Sequence, residues 1–328
     1  MDTVLILINK ISGHPSEDER DVLDQAEAVE NALHQLGYHT ERTFLDLNLD
    51  EACRRIEQVE PKLVFNLVEG VAGKANLIFL APALLESMNM PYTGCRLESM
   101  FITSNKILTK KILQANNLPT PRSHKGDKLH DLNPEVNYIA KPLWEDASVG
   151  ITDASVFRGD NATIPQELLK RWGSDFFVEE FIDGREFNLS ILAGEDGRPQ
   201  VLPLAEILFK DFPGNKPKIV GYAAKWEKDT FEYVNTPRTF DVENVNDILR
   251  EKLTSLCKNC WDVFDLKGYV RVDFRVDQHD NPYILEINAN PCISPDAGFY
   301  AACMRAGISF PEAVRRIVAD SGLKLLKG

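Results

Sequence analysis

Hydrophobic and polar positions in the first hundred residues follow two periods. Short apolar runs at 3–8, 38–44 and 62–67 predict strands, and apolar spacing near 3.6 residues between them predicts helices near 20–36 and 49–59. Gly37 is placed to end the first of these helices. A further helix is predicted over 75–89, closed by the turn-forming MPYTG at 90–94. This alternation is that of an open parallel sheet. No GxGxxG follows the first strand, so a dinucleotide-binding Rossmann unit would lack its phosphate loop.

Ser104 reads as the N-cap of the helix NKILTKKILQANN, which stops before the connector Leu118-Pro119-Thr120-Pro121, the first candidate domain boundary. From 121 to 185 the pattern is mixed, with strands around NYIAKPL and FFVEEFI and a short helix near 165–172. Further strands follow, then a long polar loop with Pro213, Gly214, Pro217 and Gly221, a helix near 244–264, a hairpin, and a terminal helix containing PEAVRRIVADSG.

The hairpin, RVDFRVDQHDNPYILEINANP, places acids where like charges meet. Period two puts Arg271, Asp273, Arg275 and Asp277 on one side of a half-buried strand and Val270, Val272, Phe274 and Val276 on the other. A four-residue loop over 278–281 pairs Asp277 with Pro282, Asp273 with Glu286 and Arg271 with Asn288. Opposed carboxylates repel unless a cation lies between them. With the Asn288 amide they form an all-oxygen set suited to Mg²⁺. The alternative is a solvated edge hairpin whose acids keep it soluble.

Composition narrows the classes. With 328 residues the chain is long enough for two or three compact units, and 44% hydrophobic with 27% charged residues is ordinary for a soluble globular protein. A net charge of −13 repels a phosphodiester backbone and argues against nucleic-acid binding. A polyphosphate ligand would need lysines, arginines and metal gathered locally. The apolar run 4–8 is too short for a bilayer and no signal-peptide pattern follows, so no membrane association and a cytoplasmic location are expected. Six scattered cysteines do not make a disulfide framework, and Cys257 and Cys260 fall at helical spacing that reads as helix core.

Two further stretches carry chemistry. YIAKPLWEDASVG puts Lys141 at a strand end before Ala147, Ser148 and Gly150, a combination of ammonium and approachable backbone amides that would cradle phosphate, or else a hairpin turn with a surface lysine. In FFVEEFIDGREF, Glu179 and Glu180 interrupt an apolar strand and need partners if buried. An adenine amino group and ribose hydroxyls would serve; a salt-bridged strand end is the alternative.

In order, Lys106 on a helix, Lys141 with its small-residue loop, VEEFIDGREF and RVD…LEINANP resemble the ATP-grasp superfamily, and within it the D-alanine–D-alanine ligase family. The similarity spans nearly the whole chain, including MPYTG at 90–94 and YAAKW at 222–226. It implies an α/β and α+β protein with the ATP-grasp fold: an open parallel α/β substrate-side domain at 1–102 and two α+β domains, 103–185 and 186–328, that enclose ATP. By matching positions, Lys106 and Lys141 would hold phosphates and Ser148 would lie in the loop covering them. Glu179 would accept from the adenine amino group, Glu180 and Ile182 would offer main-chain bonds to the purine, Glu186 would bind ribose, and Leu285 would line the nucleotide site. Lys225, in the 209–234 loop, would reach the terminal phosphate. Asp273, Glu286 and Asn288 would hold two Mg²⁺ ions, replaceable by Mn²⁺, and Arg271 would stabilise charge on the reacting carboxylate.

The resemblance implies an ATP-dependent carboxylate–amine ligase acting through an acylphosphate on amino-acid or peptide substrates, and a homodimer. Its rivals are a ligase with a non-amine acceptor and a nucleotide-binding protein without turnover. The substrate end departs from the family. NKISGHPSEDER replaces the glycine-rich first loop and keeps acids Glu17, Asp18 and Glu19 that would suit an ammonium group. Ala147 stands where the family has serine, Trp226 where it has tyrosine or phenylalanine, NLVEG where it has histidine-glycine, and Cys292 where it has glycine. These changes imply an altered substrate. Cys292 itself reads as a packed thiol.

Overall fold

Five strand and helix segments open the chain in strict alternation: β1 (Thr3–Asn9), α1 (Glu17–Gln35), β2 (His39–Leu45), α2 (Leu49–Val59) and β3 (Leu63–Asn66). The computed structural model describes residues 2–11, 17–126, 129, 132–145, 148–161, 164 and 166–322. The strands pair parallel in the order β2-β1-β3. Val4, Ile6 and Ile8 meet α1 on one face of the sheet, while Leu5 and Leu7 meet α2 on the other. A parallel strand covered on both faces needs this unbroken apolar run. Gly37, at φ +85°, ends α1 in the left-handed region that glycine adopts without strain.

The helix expected over 75–89 is interrupted. A short 3₁₀ turn at Ala75–Leu77 precedes α3 (Leu80–Ser87). Pro82 gives the reason: an uninterrupted helix would require its missing N–H to bond the Ile78 carbonyl, whereas a start at Leu80 puts it in the first turn, where that donor is not needed. The cap expected at Ser104 also moves by one residue. Ser104 ends α4 (Leu97–Ser104), and Asn105 caps α5 (Lys106–Ala115) by accepting from the Leu108 N–H at 3.0 Å.

A four-stranded antiparallel sheet follows, ordered β4-β7-β5-β6: β4 (Ser123–Lys125), β5 (Asn137–Pro142), β6 (Val156–Arg158) and β7 (Phe176–Glu180), with α6 (Gln166–Trp172) before the last. Tyr138, Ala140, Phe176 and Val178 pack with Leu132 and Ile164, which leaves Lys141, Phe177 and Glu179 on the opposite face.

The third sheet is antiparallel and ordered β11-β10-β8-β12-β13, with β9 beside β8. Its strands are β8 (Arg185–Ala193), β9 (Pro199–Val201), β10 (Ala205–Ile207), β11 (Arg238–Thr239), β12 (Tyr269–Val276) and β13 (Pro282–Asn288). The loop expected over 209–234 contains two short helices, α7 (Tyr222–Trp226) and α8 (Phe231–Asn235). Helix α9 (Asp247–Val263) buries Leu249, Leu253, Cys257 and Cys260 against Val270, Val272, Phe274 and Val276, so both cysteines are core. The last helices, α10 (Gly298–Arg305) and α11 (Phe310–Asp320), return to the first sheet, where Val314, Ile317 and Val318 share a core with Val4, Ile6 and Ile8. Among the described residues no helix is long and apolar enough to cross a membrane.

Candidate functional site

The hairpin at 269–288 sets the site's geometry. Asp273 lies opposite Glu286 and Arg271 opposite Asn288, as the sequence predicts. The rest of the pairing differs: the turn takes five residues, 277–281, so Val276 rather than Asp277 meets Pro282. Leu285 bulges out between the Asp273 and Phe274 pairs and absorbs the extra residue, restoring the two carboxylates to one position on one face. The strand is also not half-buried. Asp273 is 6% exposed and Arg275 4%, because the polar face forms the floor of a covered cleft rather than meeting solvent.

That cleft encloses about 750 Å³, counting its open mouth. Lys106, Lys141, Ser148, Glu179, Glu180, Ile182, Glu186, Lys225, Asp273, Leu285 and Glu286 all line it; Arg271 and Asn288 stand just outside, on the same two strands. Residues far apart in sequence thus converge between the four-stranded and six-stranded sheets. The N-terminus of α5 forms one end, with the Lys106 N–H donating to the Leu143 carbonyl and its ammonium to the Glu145 carbonyl at 2.8 Å.

The wall on β5 and β7 is closed by ion pairs. Glu179 is 1% exposed, with Lys141 Nζ 2.6 Å from one carboxylate oxygen and Lys110 Nζ 2.5 Å from the other. The protein thus supplies two counterions, the salt-bridged alternative that the sequence also allowed, while the oxygen beside Lys110 accepts no well-formed hydrogen bond among the described residues. Burial pushes the Glu179 carboxyl up, and the two ammonium groups outweigh it and hold it below the usual range. Glu180 and Phe181 donate their N–H groups to the Arg122 and Asn137 carbonyls, so in this stretch the Ile182 N–H is without a partner among the described residues. Glu186 pairs with Arg275 at 2.9 Å.

The floor on β12 and β13 is arranged differently. Arg271 grips Asp273 with two hydrogen bonds of 2.7 and 2.8 Å, and the Asn188 amide adds a third at 2.8 Å. Burial nevertheless raises the Asp273 carboxyl, and Glu286 opposite adds to the rise. Glu286 accepts no hydrogen bond among the described residues; Lys106 Nζ is 3.6 Å away. Burial pushes Glu286 up, but Lys106, Lys225, Arg271 and Lys141 together hold it well below the usual carboxylate range. A charged carboxylate in a covered cleft, unfilled as an acceptor and facing a second carboxylate, fits a divalent cation. The Asn288 amide oxygen, now accepting from the Asn290 N–H at 3.1 Å, is the third oxygen of this set.

Lys225, on α7, makes no hydrogen bond or ion pair among the described residues. Burial, then Arg271, lowers its proton affinity. The segment carrying it closes over the cleft through Ser148, whose hydroxyl donates to the Val220 carbonyl at 2.7 Å, and through the Tyr222 N–H, which donates to the Ile151 carbonyl. Ser148 has φ +61°, a costly angle for a residue with a Cβ, and it brings this contact into place.

Around Cys292, Gln25 on α1 donates to Asp21 and Glu69, and the Cys292 thiol donates to Asp21 at 2.7 Å. Burial and these acids raise the thiol's pKa far above the ordinary range, so Cys292 is not an activated nucleophile. Ala147 and the side chains of Glu17, Asp18 and Glu19 lie outside the described residues. Sequence reasoning missed Lys110, Arg275, Asn188 and Gln25. For Lys110 a signal was present: it sits one helical turn after Lys106, on the same face.

Residues 121–319 match the protein family described as D-ala D-ala ligase C-terminus. The D-alanine–D-alanine ligase of Carboxydothermus hydrogenoformans is 28% identical over 95% of this chain and 96% of its own. That of Haemophilus ducreyi is 27% identical over 93% of this chain and 95% of its own. The crystal structure of the D-alanine–D-alanine ligase from Bacillus anthracis complexed with ATP superposes with a TM-score of 0.73 at 19% identity, covering 98% of this chain and 97% of that one. This likeness establishes the ATP-grasp fold.

Proposed function

Because the chain belongs to the D-alanine–D-alanine ligase family, we propose that it is an ATP-dependent ligase that joins a carboxylate to an amine through an acylphosphate. The observation that carries this reading is the convergence, in one covered cleft, of Lys106, Lys141 and Lys225 with the opposed Asp273 and Glu286. A carboxylate is a poor acyl donor, and transferring the γ-phosphoryl group of ATP to it creates a leaving group. Attack by the amine then forms the amide and releases phosphate. Phosphoryl transfer asks mainly for positioning and charge stabilisation.

In this reading Lys106 and Lys141 bind the nucleotide phosphates, and the segment joined to Ser148 excludes water and presents Lys225 to the terminal phosphate. Ile182 and Glu180 offer main-chain groups to the purine, Leu285 lines its site, and Glu186, held by Arg275, faces the ribose. Arg271 orients the reacting carboxylate. Asp273, Glu286 and Asn288 would hold two Mg²⁺ ions, or Mn²⁺ in their place, which when bound neutralise phosphate charge. The units run 1–102, 103–185 and 186–328; in support, each sheet falls within one of them, apart from Arg185 at the start of β8. Family membership supports a cytoplasmic homodimer, and the acid-lined acceptor end supports an amino acid or peptide other than D-alanine.

The test is phosphate release from ATP with a panel of L- and D-amino acids, peptides, thiols and alcohols. Release that depends on an amine is expected. Release that depends only on a thiol or alcohol moves the chain to another kind of ligase, and no release with any acceptor makes it a nucleotide-binding protein.

A further inference from the structure

Lys110 is 1% exposed and is surrounded by acceptors. Its ammonium lies 2.5 Å from Glu179, donates to the Thr120 hydroxyl at 3.0 Å, and donates to the Leu285 carbonyl at 3.3 Å. Thr120 in turn donates to the Ile284 carbonyl at 2.7 Å. One buried group on α5 therefore grips β7 on one wall of the cleft and the bulge of β13 on the other, next to Glu286.

Charge makes this contact more than packing. Glu179 has two oxygens and two lysine partners, and the cluster carries one positive charge in excess. Lys110 is sealed from the cleft, whereas Lys141 lines it, so the excess is presented where Lys141 opens onto the nucleotide site. Without Lys110, Glu179 would have Lys141 as its sole counterion, and a buried carboxylate holds its last partner tightly. We propose that Lys110 is a positioning residue: by neutralising Glu179 and fixing the Leu285 carbonyl, it frees the Lys141 ammonium for the nucleotide phosphates and aligns Glu286 with them. This rests on the nucleotide-binding reading of the cleft, and its test reads binding rather than turnover.

The experiment is direct titration of ATP and of adenosine into the full chain and its variants. In Lys110→Met, Glu179 keeps one partner, so the fold persists. ATP affinity is expected to fall about tenfold, the loss of one charge-assisted hydrogen bond, while adenosine affinity falls less because Lys141 meets only phosphate. Lys110→Met/Glu179→Gln releases Lys141 and is expected to restore ATP affinity to about threefold of native or better, within about 0.7 kcal/mol. Lys110→Arg keeps the charge and is expected to match the double variant. Unchanged ATP affinity in Lys110→Met, equal losses for ATP and adenosine, or a folded double variant that binds ATP no better than the single would each overturn the proposal. If Lys110→Met does not fold, weak ATP binding by the folded double variant does the same. Native protein that binds ATP but releases no phosphate defeats the ligase reading alone.

Discussion

Two ionic clusters face each other across one cleft and are built on opposite plans. Around Glu179 one carboxylate is shared by Lys110 and Lys141, with an ammonium within 2.6 Å of each oxygen. Around Glu286 two carboxylates are opposed in register, and the oxygens of Glu286 accept nothing closer than a lysine 3.6 Å away. The Glu179 side chain is 1% exposed and that of Glu286 24%, so the second cluster is also the more open to solvent. The first has its counterions as the chain folds; on the proposed reading, the second receives its counterion from what enters. Two acids that look alike in sequence thus differ in where their counterions come from: lysines of the protein around Glu179, and a more open, opposed carboxylate around Glu286.

The comparison can be broken at its open end first. Glu286→Gln should lower Mg²⁺-dependent phosphate release on the order of a thousandfold, several kcal/mol of barrier, with the melting temperature held. Retained turnover would show that this carboxylate does not bind the cation. At the closed end the ranking reverses. Glu179→Gln strands two buried ammonium groups and should cost about 3–5 kcal/mol in urea unfolding, and an unshifted midpoint would mean that the cluster is not the internal brace its distances imply.

A smaller effect probes the group between them. Lys225→Ala should slow phosphoryl transfer about a hundredfold while changing ATP affinity little, as read by single-turnover and equilibrium titration. Burial and Arg271 lower the Lys225 pKa, so its charge is lost at a pH below the ordinary lysine value of about 10.4. The native rate should accordingly fall on an alkaline limb beginning under that value, and a limb that persists in Lys225→Ala would assign it elsewhere. Smallest of all, Cys292 should resist iodoacetamide at about pH 8, where an ordinary thiol with a pKa of about 8.5 reacts. Rapid labelling would contradict the hydrogen bond to Asp21.

The sequence made one half of this comparison legible and concealed the other. Asp273 and Glu286 could be paired on paper because strand periodicity is local, and the error of one residue in the turn was cancelled by the Leu285 bulge. The parallel first sheet followed from patterning, and Gly37 ended its helix as read. Lys110 carried only its spacing from Lys106 as a signal, since a lysine on an amphipathic helix is ordinarily solvated and only the meeting of α5 with two sheets buries it. The same tertiary contact gives Glu179 its second counterion. The break before α3 was legible in Pro82 and was missed, because the apolar spacing runs through it.

The return of α11 to the first sheet has a consequence for biosynthesis. Val4, Ile6 and Ile8 are synthesised long before Val314, Ile317 and Val318, which complete their core. The nascent first layer must therefore wait with an uncovered greasy flank until that distant segment is made, a period in which chaperone capture or premature termination would decide its fate.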